Sequence, residues 1–442
     1  MLTSLVNKIQ MVLMHQGFQR YLTNTSWVFS ERILRLIAGV FVGIWVARYL
    51  GPEQFGIFSY ALAFVAIFGN IANLGLDGIV VRDIVNEPSK TDIYLGTAFW
   101  LKLIGGFATI LIVAFSTIFT SNDSATKLYI FIIASGIVFN SFEVIDFYFQ
   151  SKVLAKFNSI CRFAQLFLSS LLKIYLVLTG SDLFWFVLVG LFDQITLAIA
   201  LNIAYRYQQR TAYYKYFDWS IAKFLLKNSW PLIVSGFVIM IYMRIDQIMI
   251  KEMMGERDVG IYSAAVKLSE VWYFIPMIIT SSLFPAIVNA KKISVELYQT
   301  RLQKLYSFMA WLAIAIAVPT TFFSDWVITF LYGEMYKAAG QVLMIQIWAG
   351  IFVFVGVASS RWFLSENLQK KLTINTLIGA IANIFLNFLL IPKYGISGAA
   401  ISTILSQAIS VYFMNLAFNS TRENFLRITK SFLFKTYIKY QK

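Results

Sequence analysis

The 442-residue chain holds a single cysteine, Cys161, and a single histidine, His15. Disulfides within the chain, cysteine clusters and His-rich metal centres are therefore excluded, and much thiol and metal enzymology with them. Charge is also scarce. Asp, Glu, Lys and Arg make up 13% of residues, whereas a soluble domain carries about 25%. No DxD triplet that would hold a nucleotide-sugar metal occurs, and no residue stands out as catalytic. The first twenty residues are interrupted by Asn7, Lys8, Gln10, His15 and Gln16, so they do not read as a cleavable secretory signal; the first apolar span is expected to do the targeting.

What the chain does have is 59% hydrophobic residues, gathered into apolar runs of about twenty, the length that crosses a bilayer. The runs predict an all-α polytopic membrane protein with twelve spans: Asn24–Tyr49, Phe55–Leu76, Ile93–Phe119, Lys127–Phe149, Ile160–Thr179, Leu183–Tyr205, Ser229–Ile250, Ala264–Val288, Leu302–Phe323, Ala338–Trp362, Leu372–Ile391 and Ile396–Phe418. The net charge of +15 has no basic soluble domain to hold it, so nucleic acid is not an expected partner. Lys and Arg instead cluster on alternate sides of the spans: Lys8 and Arg20; Lys152, Lys156 and Arg162; the run from Arg206 to Lys227; Lys291, Lys292, Arg301 and Lys304; Lys370 and Lys371; and the tail from Arg422. Cytoplasmic loops are the basic ones, which predicts an even number of spans with both ends in the cytoplasm. The aromatic and basic tail FLRITKSFLFKTYIKYQK suits a segment lying on an anionic leaflet, or one that is merely solvated.

An internal repeat divides the chain. LGPEQFGIFSYA from Leu50 returns as MGERDVGIYSAA from Met254, pairing Gly51 with Gly255 and Gly56 with Gly260; Ser26-Trp27 returns as Ser229-Trp230. Six spans separate the copies, an even number, so the halves share one orientation. Residues 1–211 form an expected N-terminal lobe, 212–228 a cytoplasmic linker containing the run YYKYFDW, and 229–442 a C-terminal lobe with its basic tail. Pro231, Pro276, Pro285 and Pro319 fall in or near spans, where they free carbonyls and permit bending. Gly39 and Gly43 form a GxxxG pattern that permits close helix packing.

Charges inside spans are costly, by roughly 2.5–3.5 kcal/mol on insertion scales, and face a cavity or a partner. Lys102, Arg244 and Asp246 lie deep in their spans. Arg244 and Asp246 are two residues apart and need partners on different helices. In the first span Glu31, Arg32 and Arg35 sit on neighbouring faces, with a Glu31–Arg35 pair available and positive charge in excess. Lys267 and Glu270 repeat that mixed character in the eighth span. Lys173 and Asp193 suit a structural pair.

The segments ARYLGPEQFGIFSYA (Ala47–Ala61), NLGLDGIVVRDI (Asn73–Ile84) and DFYFQSK (Asp146–Lys152) resemble the Wzx-type polysaccharide biosynthesis flippases of the multidrug, oligosaccharidyl-lipid and polysaccharide exporter superfamily, and the resemblance covers nearly the whole chain. It implies two pseudo-symmetric six-helix lobes in a V around a cationic cavity. It further implies alternating-access export of undecaprenyl-diphosphate-linked oligosaccharide from the cytoplasmic to the periplasmic leaflet of the bacterial inner membrane. The partners it implies are the lipid-linked oligosaccharide, membrane lipids and the polysaccharide polymerase and chain-length machinery, with no cofactor. Diphosphate is anionic, so Arg32, Arg35, Lys102, Arg244 and Lys267 are the candidate substrate-binding residues. Glu31, Asp246 and Glu270 are candidates for H+ or Na+ coupling or for charge balance. Two rivals stay open. A multidrug or metabolite antiporter of the same superfamily would favour acidic cavity residues, and a membrane polymerase or transferase would need catalytic groups and a large outer loop. A lipid II flippase would usually have fourteen helices.

Overall fold

The structure, a computed structural model, describes residues 16–208 and 212–433. Lys8, His15, Arg210, Lys435, Lys439 and Lys442 lie outside them. Among the described residues there is no strand, and the α-helices are α1 (Gln16–Asn73), α2 (Asp77–Asn86), α3 (Thr91–Thr117), α4 (Ser124–Ser135), α5 (Val144–Ser151), α6 (Ala155–Leu178), α7 (Leu183–Tyr207), α8 (Trp219–Met254), α9 (Glu256–Glu270), α10 (Phe274–Ile293), α11 (Val295–Tyr332), α12 (Ala338–Gln346), α13 (Ala349–Ser365), α14 (Gln369–Gln407) and α15 (Arg422–Ser431).

Ten segments of the described residues are long and apolar enough to cross a membrane, and the longest, Thr23–Asn86, has 64 residues. At a rise of about 1.5 Å per residue it would extend about 96 Å, some three times a hydrocarbon core of about 30 Å. It cannot be one crossing. The chain breaks inside it at Gly51 (φ 70°) and inside the 48-residue segment Gln369–Leu416 at Gly395 (φ 59°). Left-handed backbone of this kind admits glycine and strains other residues. The ten segments therefore carry twelve traverses, in agreement with the sequence pattern.

Four predicted spans are segmented: the tenth is split between α12 and α13, and the twelfth passes from α14 through a π-helical stretch, Ala408–Tyr412, and a 3₁₀ turn, Phe413–Leu416. The fourth runs as α4, a 3₁₀ stretch Gly136–Glu143, and α5. The eighth runs as α9, a 3₁₀ turn Val271–Tyr273, and α10. Pro276, at the third position of α10, lacks the N–H that Trp272 would need to continue an α-helix, which accounts for the tightened turn.

The chain forms two compact units, Met1–Val46 with Phe64–Phe237, and Ala47–Ala63 with Val238–Lys442. The first is built around Leu95, Phe149, Leu201 and Tyr213; the second around Tyr306, Met309, Phe354 and Trp362. The Gly51 break and the start of the second traverse thus belong with the second unit.

Residues 212–228 are not a loose connection. Helix α8 begins at Trp219, and Asp218 caps it by accepting from the Ser220 and Ile221 N–H groups and the Ser220 hydroxyl. Those donors hold its carboxyl below the usual carboxylate range. Upstream, Trp100 Nε1 donates to the Tyr214 carbonyl at 2.9 Å and the Asp218 N–H donates to Thr97 Oγ1 at 3.1 Å. Tyr213 is buried against the edges of the Phe99 and Tyr205 rings. A Cβ on Gly96 would stand 1.9 Å from the Tyr216 carbonyl oxygen, so α3 admits the segment only because residue 96 has no side chain.

The described part of the tail departs from a surface-lying helix. In α15, Arg427 is buried, pairs with Glu423 at 2.6 Å, and lies over the Tyr306 and Trp362 rings. Asn424 donates to Ser359 and Asn415 and accepts from the Tyr306 hydroxyl. The polar face of α15 points into protein because buried partners await it there.

The repeat has a physical counterpart. Gly51 and Gly255, equivalent in sequence, share positive φ (70° and 105°) with ψ near 170–178°. Their companions Gly56 and Gly260 face each other. A Cβ on Gly56 would meet the Glu256 carbonyl oxygen at 1.8 Å, and one on Gly260 would meet that of Pro52 at 1.9 Å. By contrast a Cβ on Gly39 would meet nothing within 4 Å, so the GxxxG pattern does not mark a close crossing at that glycine. Gly260→Ala is expected to lower the stability of the purified protein by about 1–3 kcal/mol through overpacking, while Gly39→Ala leaves it unchanged or slightly raised; thermal unfolding in detergent checks both.

Candidate functional site

In the first unit the candidate charges form one cluster. Glu31 pairs with Arg35 one turn along α1, and the neighbouring Arg32 is exposed. Lys102, deep in α3, is 2% exposed and reaches Glu143 at 3.8 Å, with its ammonium 5.4 Å from the centre of the Phe147 ring. Glu143 also accepts from Arg162 of α6 at 3.3 Å, and Arg162 Nε donates to Asn158. Arg35 lies within electrostatic reach of both Arg162 and Glu143. Asp77 lies within electrostatic reach of Lys102 and Glu143, and Asp146 within reach of Arg162 and Glu143, so Arg35, Lys102 and Arg162 share four carboxylates and the cluster carries no excess of positive charge. Lys102 sits beneath this cluster, packed away from solvent. Lys173 of α6 pairs with Asp193 of α7 at 3.3 Å, with Ser169 bridging them.

The second unit separates Arg244 from Asp246, as their spacing demands. Arg244 Nη1 and Nη2 approach the two Glu270 oxygens of α9 at 3.4 Å each. Strong charge-assisted bonds are about 2.7–2.9 Å long, so this fork is aligned but loose, and Arg244 stays 27% exposed. Lys267, one turn from Glu270, is exposed, with Nζ 5.2 Å from the centre of the Phe55 ring.

Asp246 faces the other way and is buried. It accepts from Tyr262 at 2.7 Å, from Asn387 Nδ2 at 2.6 Å and from Thr403 Oγ1 at 2.8 Å. Asn387 in turn donates to Asn383, and Thr403 Oγ1 is 3.0 Å from the Ala399 carbonyl. None of the ion pairs among the described residues includes Asp246. A carboxylate in a low-dielectric interior needs compensating charge or a proton. Here the surroundings are neutral hydroxyl and amide donors aimed at the carboxylate.

Sequence reasoning had found Asp246 and missed this shell. Asn383 and Asn387 are fully buried and one turn apart in the apolar run IANIFLNFLL. That pairing was the available signal, since amides within a membrane helix ask for partners. Arg162 was read as a loop charge, whereas α6 begins at Ala155 and carries it inside the helix.

A family model described as "Polysaccharide biosynthesis protein" matches residues 21–291, more than half of the chain. The chain belongs to this family. A second model, MatE, matches residues 231–389. Among curated relatives of this family member, the "Probable low-salt glycan biosynthesis flippase Agl15" of Haloferax volcanii is 26% identical over 84% of this chain and 78% of its own length. A "Putative O-antigen transporter" of Shigella flexneri is 25% identical over 86% and 93%. Of the solved structures, an inward-facing multidrug resistance MATE transporter superposes with a TM-score of 0.72 at 15% identity, covering 90% of this chain and 95% of its own. The lipid II flippase MurJ superposes at 0.67 and 16% identity, covering 95% and 92%. At such identities the likeness is one of fold.

Asp246→Ala removes the acceptor shared by three donors and is expected to cost about 1–3 kcal/mol for the groups left without it. A smaller loss is expected for Thr403→Val. Thermal unfolding of the two variants and the double variant measures the coupling, and additive effects would show that the two side chains act independently.

Proposed function

We propose that this protein is a flippase for lipid-linked oligosaccharides, carrying an anionic polyprenyl-diphosphate headgroup with its sugars from the cytoplasmic to the outer leaflet by alternating access. The observation that carries this reading is the loose Arg244–Glu270 fork, together with the family to which the chain belongs. At 3.4 Å the guanidinium is held in position without being tightly engaged, and a diphosphate presents more charge and a better bidentate match than one carboxylate. Lys267 of the same unit supplies further positive charge for this cargo, and Arg32 and Arg35 are the cargo candidates of the first unit. Lys102, buried on Glu143, serves by holding that carboxylate between itself and Arg162.

Ion coupling falls to Asp246, with Glu270 and Glu31 balancing the cavity arginines. Entry of Na+ or H+ compensates a carboxylate that otherwise has only neutral donors. The protein resides in the cytoplasmic membrane, the inner membrane where the cell has two, with both termini and the basic loops on the cytoplasmic side. Downstream it passes substrate to polysaccharide polymerase and chain-length machinery. The lobes follow the repeat, residues 1–211 and 229–442. No catalytic step is assigned to the chain.

The MatE match to residues 231–389 favours a second reading, an ion-coupled exporter of small cations on the same fold. Purified protein in liposomes discriminates the two: lipid-linked oligosaccharide is expected to become accessible in the opposite leaflet, with no uptake of small organic cations. In cells, loss of the protein traps lipid-linked sugar on the cytoplasmic face. Arg244→Ala is expected to lower export about tenfold or more, equivalent to about 1.4 kcal/mol, with Arg244→Lys intermediate. Full export by Arg244→Ala would remove this residue from the cargo site. Asp246→Asn is expected to leave cargo binding intact and to abolish the dependence of export on the ion gradient.

A further inference from the structure

A cavity of about 440 Å³ lies in the second unit, between the end of α10 and the early turns of α11, lined by Leu283, Ile287, Arg301, Lys304, Leu305 and Phe308. Its size falls within the range of ligand sites, about 300–1,000 Å³. The walls are apolar and the basic groups are confined to Arg301 and Lys304. Arg301 is fixed over it: Nη1 donates to the Ala286 carbonyl at 2.9 Å. A guanidinium has five N–H donors, so one anchoring bond orients the group and leaves others for a ligand. Leu283 and Phe308 are 44% and 41% exposed; on membrane-crossing segments such side chains meet acyl chains, not water.

Charge around the cavity has one dominant sign. Ser294 caps α11 at the tight turn after α10, which brings Lys291, Lys292, Arg301 and Lys304 to one end of the helix pair. Lys291 is held by Glu366 at 2.8 Å, and Glu296 is the other carboxylate at the turn. An apolar cavity opening between two bilayer helices, with cations at the headgroup end, matches a molecule that is half acyl chain and half anion. A soluble anion has no use for the apolar wall, and a zwitterionic lipid gains less from a doubly cationic rim.

We propose that this cavity is a binding site for an anionic phospholipid of the cytoplasmic leaflet, its phosphate on Arg301 and Lys304 and an acyl chain against Leu283, Ile287 and Phe308. The site is separate from the residues assigned to cargo and does not depend on the transport reading.

Native mass spectrometry tests it on the full-length protein extracted from vesicles of phosphatidylcholine containing a minor fraction of phosphatidylglycerol. The wild type is expected to retain phosphatidylglycerol at least about fivefold over its share of the vesicle. The double variant Arg301→Gln/Lys304→Gln is expected to lose that preference. Leu283→Trp, which fills the cavity and keeps both charges, is expected to lose it as well. Retention in proportion to vesicle composition by the wild type overturns the proposal even if a variant fails to fold. So does unaltered preference in the double variant. Displacement of the retained lipid by undecaprenyl diphosphate, and not by added phosphatidylglycerol, would assign the cavity to cargo and overturn the phospholipid assignment.

Discussion

Hydrocarbon does not solvate charge, and the helix pairings of this chain follow the charges it nevertheless carries into the membrane. Lys102 ties α3 to Glu143 in the stretch between α4 and α5, and Glu143 ties that stretch to Arg162 of α6. Lys173 and Asp193 tie α6 to α7. In the second unit Arg244 ties α8 to α9. Every one of these pairs joins residues separated by 19 or more positions or by the length of a helical hairpin. Removing Glu143 leaves the buried Lys102 without its carboxylate, a change that costs about 3–5 kcal/mol where such pairs have been measured. The bonds therefore specify which helices lie side by side in a solvent where apolar faces alone discriminate weakly between neighbours.

The spans were legible because each is long, continuous and nearly free of charge, and because the alternation of basic loops is a property of single residues. The same was true of Asp246 and Arg244, whose two-residue spacing on a helix requires separate partners. Composition was a poor guide at the linker and the tail. YYKYFDW and FLRITKSFLF mix aromatic and basic residues as a headgroup-binding segment would, yet Tyr213 and Arg427 turn into protein. What decides the matter is remote in sequence: the missing side chain of Gly96, which opens a groove on α3, and the buried polar set of Tyr306, Ser359 and Asn415, which receives Asn424. No local pattern around residues 213 or 424 contains that information.

The repeat was read from matched letters, and its physical basis lies in contact. Gly56 and Gly260 are equivalent positions that touch reciprocally, each accepting the backbone of the other's hairpin where a Cβ would stand. The matched pair Gly51 and Gly255 supplies the left-handed turn that sends the chain back at each hairpin. Identity at these four glycines is what backbone geometry requires, and the side chains between Gly51 and Gly56 were free to diverge from those between Gly255 and Gly260: Glu53 faces Arg257 in the alignment with nothing shared but charge.

Arg244 and Asp246 give α8 two faces with opposite chemistry. The arginine is half-open, and its carboxylate partner holds it at a distance that a stronger anion can improve upon. The aspartate is closed, and its three donors come from α9 and from both sides of the Gly395 break in α14, since Asn387 precedes the break and Thr403 follows it. A cation arriving at Asp246 competes for the oxygens that Asn387 and Thr403 now occupy, and a proton removes one of them as an acceptor. Either event loosens bonds that join α8 to both arms of α14. In the proposed coupling, occupancy of the carboxylate and the spacing of three helical segments would be a single variable, and two residues further back the same helix carries the group proposed to hold the cargo. Coupling between ion and cargo then needs no long relay of side chains, only a helix whose neighbours change when Asp246 is neutralised.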